Sequence, residues 1–230
     1  MSTAMIFQQL AGGMLKSISI FCWTLLFSLP LGLLIAFGRM SKVKIFGRFR
    51  IVRGITKLYI DVMRGTPLML QLMVVFYGPF YLWGANIGGF RYVAIILAFS
   101  INYAAYFAEI YRSGIESMPK GQYEAAEVLG YTKTQTFLHI ILPQVIKRVL
   151  PAITNEMVTL VKDTSLAFSL AYMEMFTIAK QIAAKETTFV PFVVAAIFYF
   201  IFNWLVSAGM TKVEEKLNYY RQEEGTRWTF

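Results

Sequence analysis

"YEAAEVLGYTKTQTFLHIILPQ", residues 123–144, is a polar and patterned stretch in an otherwise oily chain. It opens on Glu124-Ala125-Ala126, turns at Gly130 and closes on Ile140-Ile141-Leu142-Pro143. The chain around it has 230 residues, 57% of them hydrophobic and 15% charged. Soluble domains average about 45–50% apolar and about 25% charged residues, so composition points to a membrane protein. The stretch then reads as a water-facing helix pair between spans. Pro119 can start a helix, because its missing N–H is an orphan there anyway. Gly130 stops that helix. Thr132 or Thr134 caps the next, which runs to Leu142 before Pro143. A small face at Ala125-Ala126, flanked by Glu124 and Glu127, suits docking in a partner's groove. The plainer alternative is an ordinary amphipathic loop.

Working outward, a span needs about 20 apolar residues. Five such regions lie near residues 17–38, 55–83, 90–111, 151–176 and 189–210. The second is interrupted by Arg64-Gly65-Thr66-Pro67, and the fourth carries Glu156, Lys162 and Asp163. The first is too long for a signal-peptide core and lacks a clear cleavage site. Between the first two spans lie Arg39, Lys42, Lys44, Arg48, Arg50, Arg53 and Lys57 with no acid among them, so this loop is predicted to be cytoplasmic. "GANIGG" (84–89) then faces outward, the opening stretch inward, "AKQIAAKETT" (179–188) outward and the C-terminal "TKVEEKLNYYRQEEGTRW" (211–228) inward. The expected fold is an all-α membrane protein of about five spans, N-terminus outside and C-terminus inside. It forms one domain over residues 1–230, with a cytoplasmic loop at about 115–150. The first residues, "MIFQQLAGGMLK" (5–16), are expected to form a short interfacial helix or to fray.

The net charge of +9 sits beside apolar spans rather than along one soluble face, which argues against nucleic acid. The single cysteine, Cys22, excludes an internal disulfide. His139 has no ligand partners at metal spacing, so no metal site is expected. No Gly-x-x-x-x-Gly-Lys-Ser/Thr stretch occurs, so the chain has no phosphate-cradling loop. Nor is there a Ser-His-Asp or paired-carboxylate reaction centre, and no enzyme activity is expected.

Three polar clusters lie at membrane depth, where a charge is expensive and usually faces a cavity or a partner. In Arg64-Gly65-Thr66-Pro67, proline breaks the helix. Thr66 is expected to cap the next half-helix, with Pro67 as its first residue. Such broken-helix N-termini hold substrate carboxylates in transporters. Arg64 either adds positive charge there or pairs with Asp61. In the third span Asn102, Tyr106 and Glu109 share one face, with Tyr103 beside them. Glu109 either joins the face or pairs with Arg112. In the fourth span Glu156, Thr159 and Asp163 share one face, and two acids there suit a cation. Ser165 lies roughly opposite Glu156, so it reaches the same cavity only if the helix distorts near Asp163-Thr164-Ser165. A bracing ion pair, Asp163 with Arg64 or Lys162 with a neighbouring acid, is the structural alternative. Together the clusters suit a zwitterionic amino acid: amide dipoles and Arg64 for the carboxylate, Asp163 and Ser165 for the ammonium, Glu156 for a basic side chain.

The pattern Glu124-Ala125-Ala126, three residues, Gly130, nine residues, Ile140-x-Leu142-Pro143 resembles the coupling-loop motif of bacterial ABC importer permeases. "RGTPLMLQL" (64–72) and "VKDTSLAFSL" (161–170) are similar to stretches of its polar amino acid uptake branch, and the resemblance runs from about residue 14 to 220. It implies a multi-pass protein of a bacterial inner membrane. Its partners would be two copies of a cytoplasmic ATP-binding subunit, a second permease subunit (identical or homologous) and an external amino acid-binding protein. ATP and Mg would sit on the partner ATPase, with no cofactor in this chain. Glu124, Ala125, Ala126, Gly130, Leu142 and Pro143 would couple to that ATPase. Arg64, Gly65, Thr66, Asn102, Tyr103, Tyr106, Glu156, Asp163 and Ser165 would line the path of arginine, lysine or histidine, with glutamine and cystine as other substrates. The alternative is a self-sufficient secondary transporter driven by protons or cations.

Overall fold

The computed structural model describes residues 3–41 and 51–217, which form helices joined by short turns. In order they are α1 (Thr3–Met40), α2 (Ile51–Gly65), α3 (Leu68–Trp83), α4 (Arg91–Glu116), α5 (Lys120–Val128), α6 (Lys133–Gln135), a π-helical turn (Thr136–Ile141), α7 (Leu142–Asp163), a 3-10 segment (Thr164–Leu170), α8 (Met175–Glu186) and α9 (Val190–Leu217). The basic residues Lys42, Lys44, Arg48 and Arg50, and the tail from residue 218, lie outside the described residues. Four runs are long and apolar enough to span: Ala4–Met40, Arg91–Glu116, Lys133–Leu170 and Val190–Leu217. The fifth is the pair α2–α3, bent by 110° at the proline break.

Helix α4 occupies the centre. Ile95, Phe99, Tyr103 and Phe107 are buried along its length. They pack with Ile20 and Phe21 of α1, Leu72 and Phe76 of α3, and Leu160 and Val161 of α7. The approach of α1 to α4 is close because Gly32 has no Cβ: one built there would stand 2.8 Å from Phe107 Cβ and 3.0 Å from the Ala104 carbonyl. Membrane helices pack without a hydrophobic drive between them, so such small residues set the crossing. On α9, Ile197, Phe200, Ile201, Trp204 and Leu205 remain exposed, a surface suited to lipid.

Three sequence expectations change. Residues 5–16 are neither a separate interfacial helix nor frayed. They are the first turns of α1, because Ile6, Leu10 and Met14 recur every fourth residue and bury against Met175, Ala179 and Ile182 of α8. The helix that begins after Thr132 does not end before Pro143. It bulges into the π-helical turn, where the Leu142 N–H bonds Phe137 O, and continues through α7. Proline lacks the N–H that would bond four residues back, and a wider turn just before it lets the helix pass. Lastly, most of "AKQIAAKETT" is helical: α8 runs to Glu186 and stops where Thr187 turns left-handed at φ 49°.

Candidate functional site

The polar stretch is built as a rigid elbow. Pro119 sits one residue ahead of α5, at φ −58° and ψ 133°. Its fixed φ with an extended ψ makes it the entry residue rather than the first helical one. The end of α5 is a glycine stop: Gly130 lies at φ 79°, its N–H bonds Glu127 O and that of Tyr131 bonds Ala126 O. This is the double closure of a Schellman turn. Thr132, not Thr134, then caps α6, in a reciprocal box with Gln135. Gln122 and Gln144 exchange two amide bonds of 3.0 Å, tying α5 to the root of α7. The Arg148 guanidinium donates to Ser117 O at 3.0 Å, fixing the end of α4. Ala126 is buried, whereas Glu124, Ala125, Gly130 and Pro143 are exposed and Leu142 is half-buried. Val128 and Leu129 stand out at 88% and 74% exposed, so the elbow ends in an apolar tip.

The second site is a cavity of about 100 Å³ between the broken span, α4 and α7. It is lined by Thr66, Leu68, Asn102, Tyr103, Tyr106, Glu156, Thr159 and Asp163. Six of the nine residues expected to line a substrate path thus meet at one place. Thr66 does not cap α3: its hydroxyl donates back to Val62 O at 2.9 Å, and Pro67 holds the position before Leu68. The Leu68 and Met69 amides that start α3 precede any intrahelical acceptor, whereas Leu70 N–H already bonds Pro67 O at 3.0 Å. The Tyr103 hydroxyl donates to Asp163 Oδ2 at 2.8 Å. The Asn102 amide donates to Met63 O at 3.0 Å and to Gln71 Oε1 at 2.9 Å. The Thr159 hydroxyl donates to Asn155 O.

The remaining expected residues are placed elsewhere. The helix does change at Thr164, from α to 3-10, but this does not bring Ser165 into the cavity. Its hydroxyl bonds Lys162 O at 2.8 Å, because the tighter winding brings that carbonyl within reach. Gly65 is exposed and outside the lining. Arg64 pairs with neither Asp61 nor Asp163; its guanidinium lies 5.4 Å from the centre of the Tyr106 ring, a cation–π contact beside the cavity. Glu109 forms an ion pair with Arg112, which also pairs with Glu116. Neither Lys162 nor Asp163 is in an ion pair among the described residues.

Two residues escaped the sequence reading. Gln71, on α3, reaches back across the break to two carbonyls before Pro67, Met63 O at 3.0 Å and Thr66 O at 3.2 Å. Glu174 is fully buried and accepts from the Phe176 and Thr177 amides and the Thr177, Ser17 and Tyr199 hydroxyls. A glutamine four residues after a mid-span proline, and an acid three residues before a threonine in an oily run, were the available signals.

The family described as binding-protein-dependent transport system inner membrane component matches residues 28–219. The L-cystine transport system permease protein TcyB of Bacillus subtilis (strain 168) is 36% identical over 214 residues, covering 92% of this chain and 87% of its own. A putative glutamine transport system permease protein, GlnP of Rickettsia bellii (strain RML369-C), is 37% identical over 194 residues, covering 84% and 85%. A crystal structure of an amino acid ABC transporter with histidines superposes with a TM-score of 0.81 at 28% identity, over 91% of this chain and 94% of the other. An inward-facing MetNI methionine ABC transporter, at TM-score 0.73 and 17% identity over 95% and 100%, shares the fold.

Proposed function

The chain belongs to the family of binding-protein-dependent transport system inner membrane components and is the permease subunit of an amino acid ABC importer; from that premise we propose that the amino acid it passes is a basic one, arginine, lysine or histidine. It is a multi-pass inner-membrane protein without catalytic chemistry of its own. Family membership implies an ATPase and an external binding protein as partners. The arrangement proposed is two ATPase copies, carrying ATP and Mg, beneath a pair of permease subunits.

One observation carries the substrate class: the side-chain donors of Thr66, Asn102, Tyr103 and Thr159 are engaged, whereas the acidic acceptors of the cavity are not. Thr66, Thr159 and Tyr103 each direct their hydroxyl proton at a protein oxygen. Both amide hydrogens of Asn102 are committed to Met63 and Gln71. The acceptors without a donor among the described residues are the Glu156 carboxylate, Asp163 Oδ1 and Asn102 Oδ1. Tyr106 keeps a free hydroxyl, and no Lys or Arg lines the space. A wall of this kind favours a ligand that is cationic and rich in N–H groups. The volume admits an ammonium or guanidinium head, and the whole molecule fits once the spans part during transport. Its carboxylate would lie at the free amides that start α3. The glutamine and cystine systems among the relatives carry substrates that also present an α-ammonium, which Asp163 would serve equally. Glu156 is the group that selects a basic side chain.

The test is ATP hydrolysis by the transporter reconstituted in liposomes with its binding protein and a panel of amino acids. Stimulation by arginine, lysine or histidine that Glu156→Gln lowers at least tenfold is the expected result. Stimulation by basic substrates that is unchanged in the variant discards Glu156 as selector, and stimulation only by neutral substrates discards the basic class.

The elbow of α5 and α6 would seat in the ATPase and carry its closure to the spans. Gly130→Val tests this part. Its φ of 79° is strained for a β-branched side chain, so the stop that ends α5 is expected to open. Uptake should fall at least tenfold while ATP hydrolysis persists in the same liposomes. Uptake at the wild-type level would remove the elbow from the coupling path. The self-sufficient secondary carrier gains no support from this geometry.

A further inference from the structure

We infer that Gln71 is a positioning residue for substrate selection: it fixes the orientation of the Asn102 amide, and so the acceptor character of a cavity that it does not itself line. The inference rests on the proposal of a basic substrate. Gln71 stands at the wall of a different space, an apolar groove of about 390 Å³ shared with Val62, Pro67, Leu70 and Val74. A polar side chain there is unexpected unless every polar atom has a partner. Every one has. The two hydrogens of Gln71 Nε2 are shared among Met63 O at 3.0 Å, Thr66 O at 3.2 Å and Thr66 Oγ1 at 2.7 Å, and Oε1 accepts from Asn102 Nδ2 at 2.9 Å.

These partners leave no choice of amide orientation. Met63 O and Thr66 O are carbonyls and can only accept, so the NH2 of Gln71 must face them. Its oxygen is thereby turned to Asn102. The Asn102 NH2 lies between Gln71 Oε1 and Met63 O, two acceptors at 2.9 and 3.0 Å, and both of its hydrogens are drawn away from the ligand space. What remains for the ligand is Asn102 Oδ1. Met63 O anchors one hydrogen; Gln71 Oε1 anchors the second and fixes the amide plane. Proline supplies the reason for the arrangement: Pro67 removes the N–H that would have met Met63 O in a continuous helix, and Gln71 and Asn102 occupy that carbonyl instead.

The experiment compares arginine with citrulline, its neutral isostere, by direct titration of the transporter complex purified from membranes without its external binding protein, whose own selectivity would mask that of the cavity. The wild-type complex is expected to prefer arginine at least tenfold. Gln71→Met keeps the length and removes the Gln71 anchor of Asn102, leaving Met63 O alone, and the preference should fall at least threefold. Gln71→Ser, which leaves room for water, tests the same point should the methionine variant not assemble, with the same fall expected. Gln71→Glu retains an acceptor for Asn102, and its preference should stay at or above the wild-type value although the donors to Met63 and Thr66 are gone. A brace that only stabilises the fold would weaken both ligands alike and leave the ratio untouched; an unchanged ratio in the Met or Ser variant therefore overturns the inference. An equal fall in all three variants overturns the route through Asn102. A wild-type complex that binds both ligands equally, or neither, overturns the basic-substrate proposal itself, whatever Gln71 does.

Discussion

Asp163→Asn is expected to weaken arginine binding to the purified complex by about a hundredfold without unfolding the chain. The carboxylate stands between α4 and α7, with one oxygen held by the Tyr103 hydroxyl and the other without a donor among the described residues. Asparagine has the same shape. Its oxygen can still take the Tyr103 proton, so the contact between the two helices survives. The group then turned to the ligand is an NH2 in place of a carboxylate oxygen, and donor faces donor. Removing one partner of a buried charged pair costs about 2–5 kcal/mol, and about 3 kcal/mol corresponds to about a hundredfold. Tyr103→Phe gives the contrast: it removes one hydrogen bond and leaves the charge, so a change of about fivefold or less is expected. Titration of both variants with arginine, beside thermal unfolding of each complex, separates the effects. Wild-type affinity in Asp163→Asn would take Asp163 out of the substrate path and leave it as a helix brace.

The second large effect is on stability. Glu174→Leu is expected to lower the thermal midpoint of the detergent-purified complex by about 6–20 °C. Glu174 begins α8 and is fully buried, and its two oxygens collect amide and hydroxyl hydrogens from α1, α8 and α9. The Phe176 and Thr177 amides are the orphan donors of a helix start, and the Ser17 and Tyr199 hydroxyls tie two other helices to that point. Each donor left unpaired in a dry interior costs about 1–3 kcal/mol. The hydroxyls can rotate to other acceptors, but the two amides cannot, which puts the expected loss at about 3–5 kcal/mol. A shift of about 2–4 °C per kcal/mol in chains of this size gives the quoted drop. Glu174→Gln retains one acceptor and is expected to fall between the two. A leucine variant as stable as wild type would show that water or a shifted helix start satisfies these groups.

Local chemistry made much of the molecule legible. Span positions follow from apolar run length, and the broken second span follows from a proline that cannot donate. The elbow follows from Pro119, Gly130 and Thr132, each of which acts on its own backbone. The faces shared by Asn102 with Tyr106, and by Glu156, Thr159 and Asp163, follow from helical spacing of three and four. Errors arose where a local rule met a neighbour. Pro143 reads locally as a stop, yet a π-helical turn carries the helix through it. Residues 5–16 read locally as a short interfacial helix or a frayed end, yet α8 packs on them.

What the sequence alone determined is therefore the inventory: membrane spans, a break, a water-facing elbow and three polar clusters, each fixed by residues a turn or less apart. Only the tertiary structure decided which of these meet. Thr66, Asn102, Glu156 and Asp163 come from three separate segments, and their meeting depends on how α2–α3 and α7 lie against α4. Ser165 was excluded by a carbonyl three residues behind it, and Arg64 was drawn to a tyrosine ring on another helix. The partners of Gln71 and Glu174 lie up to 31 and 157 residues away in sequence. A helix period relates side chains within one helix, whereas the hydrogen bonds that orient a cavity are set by the distance and rotation between helices.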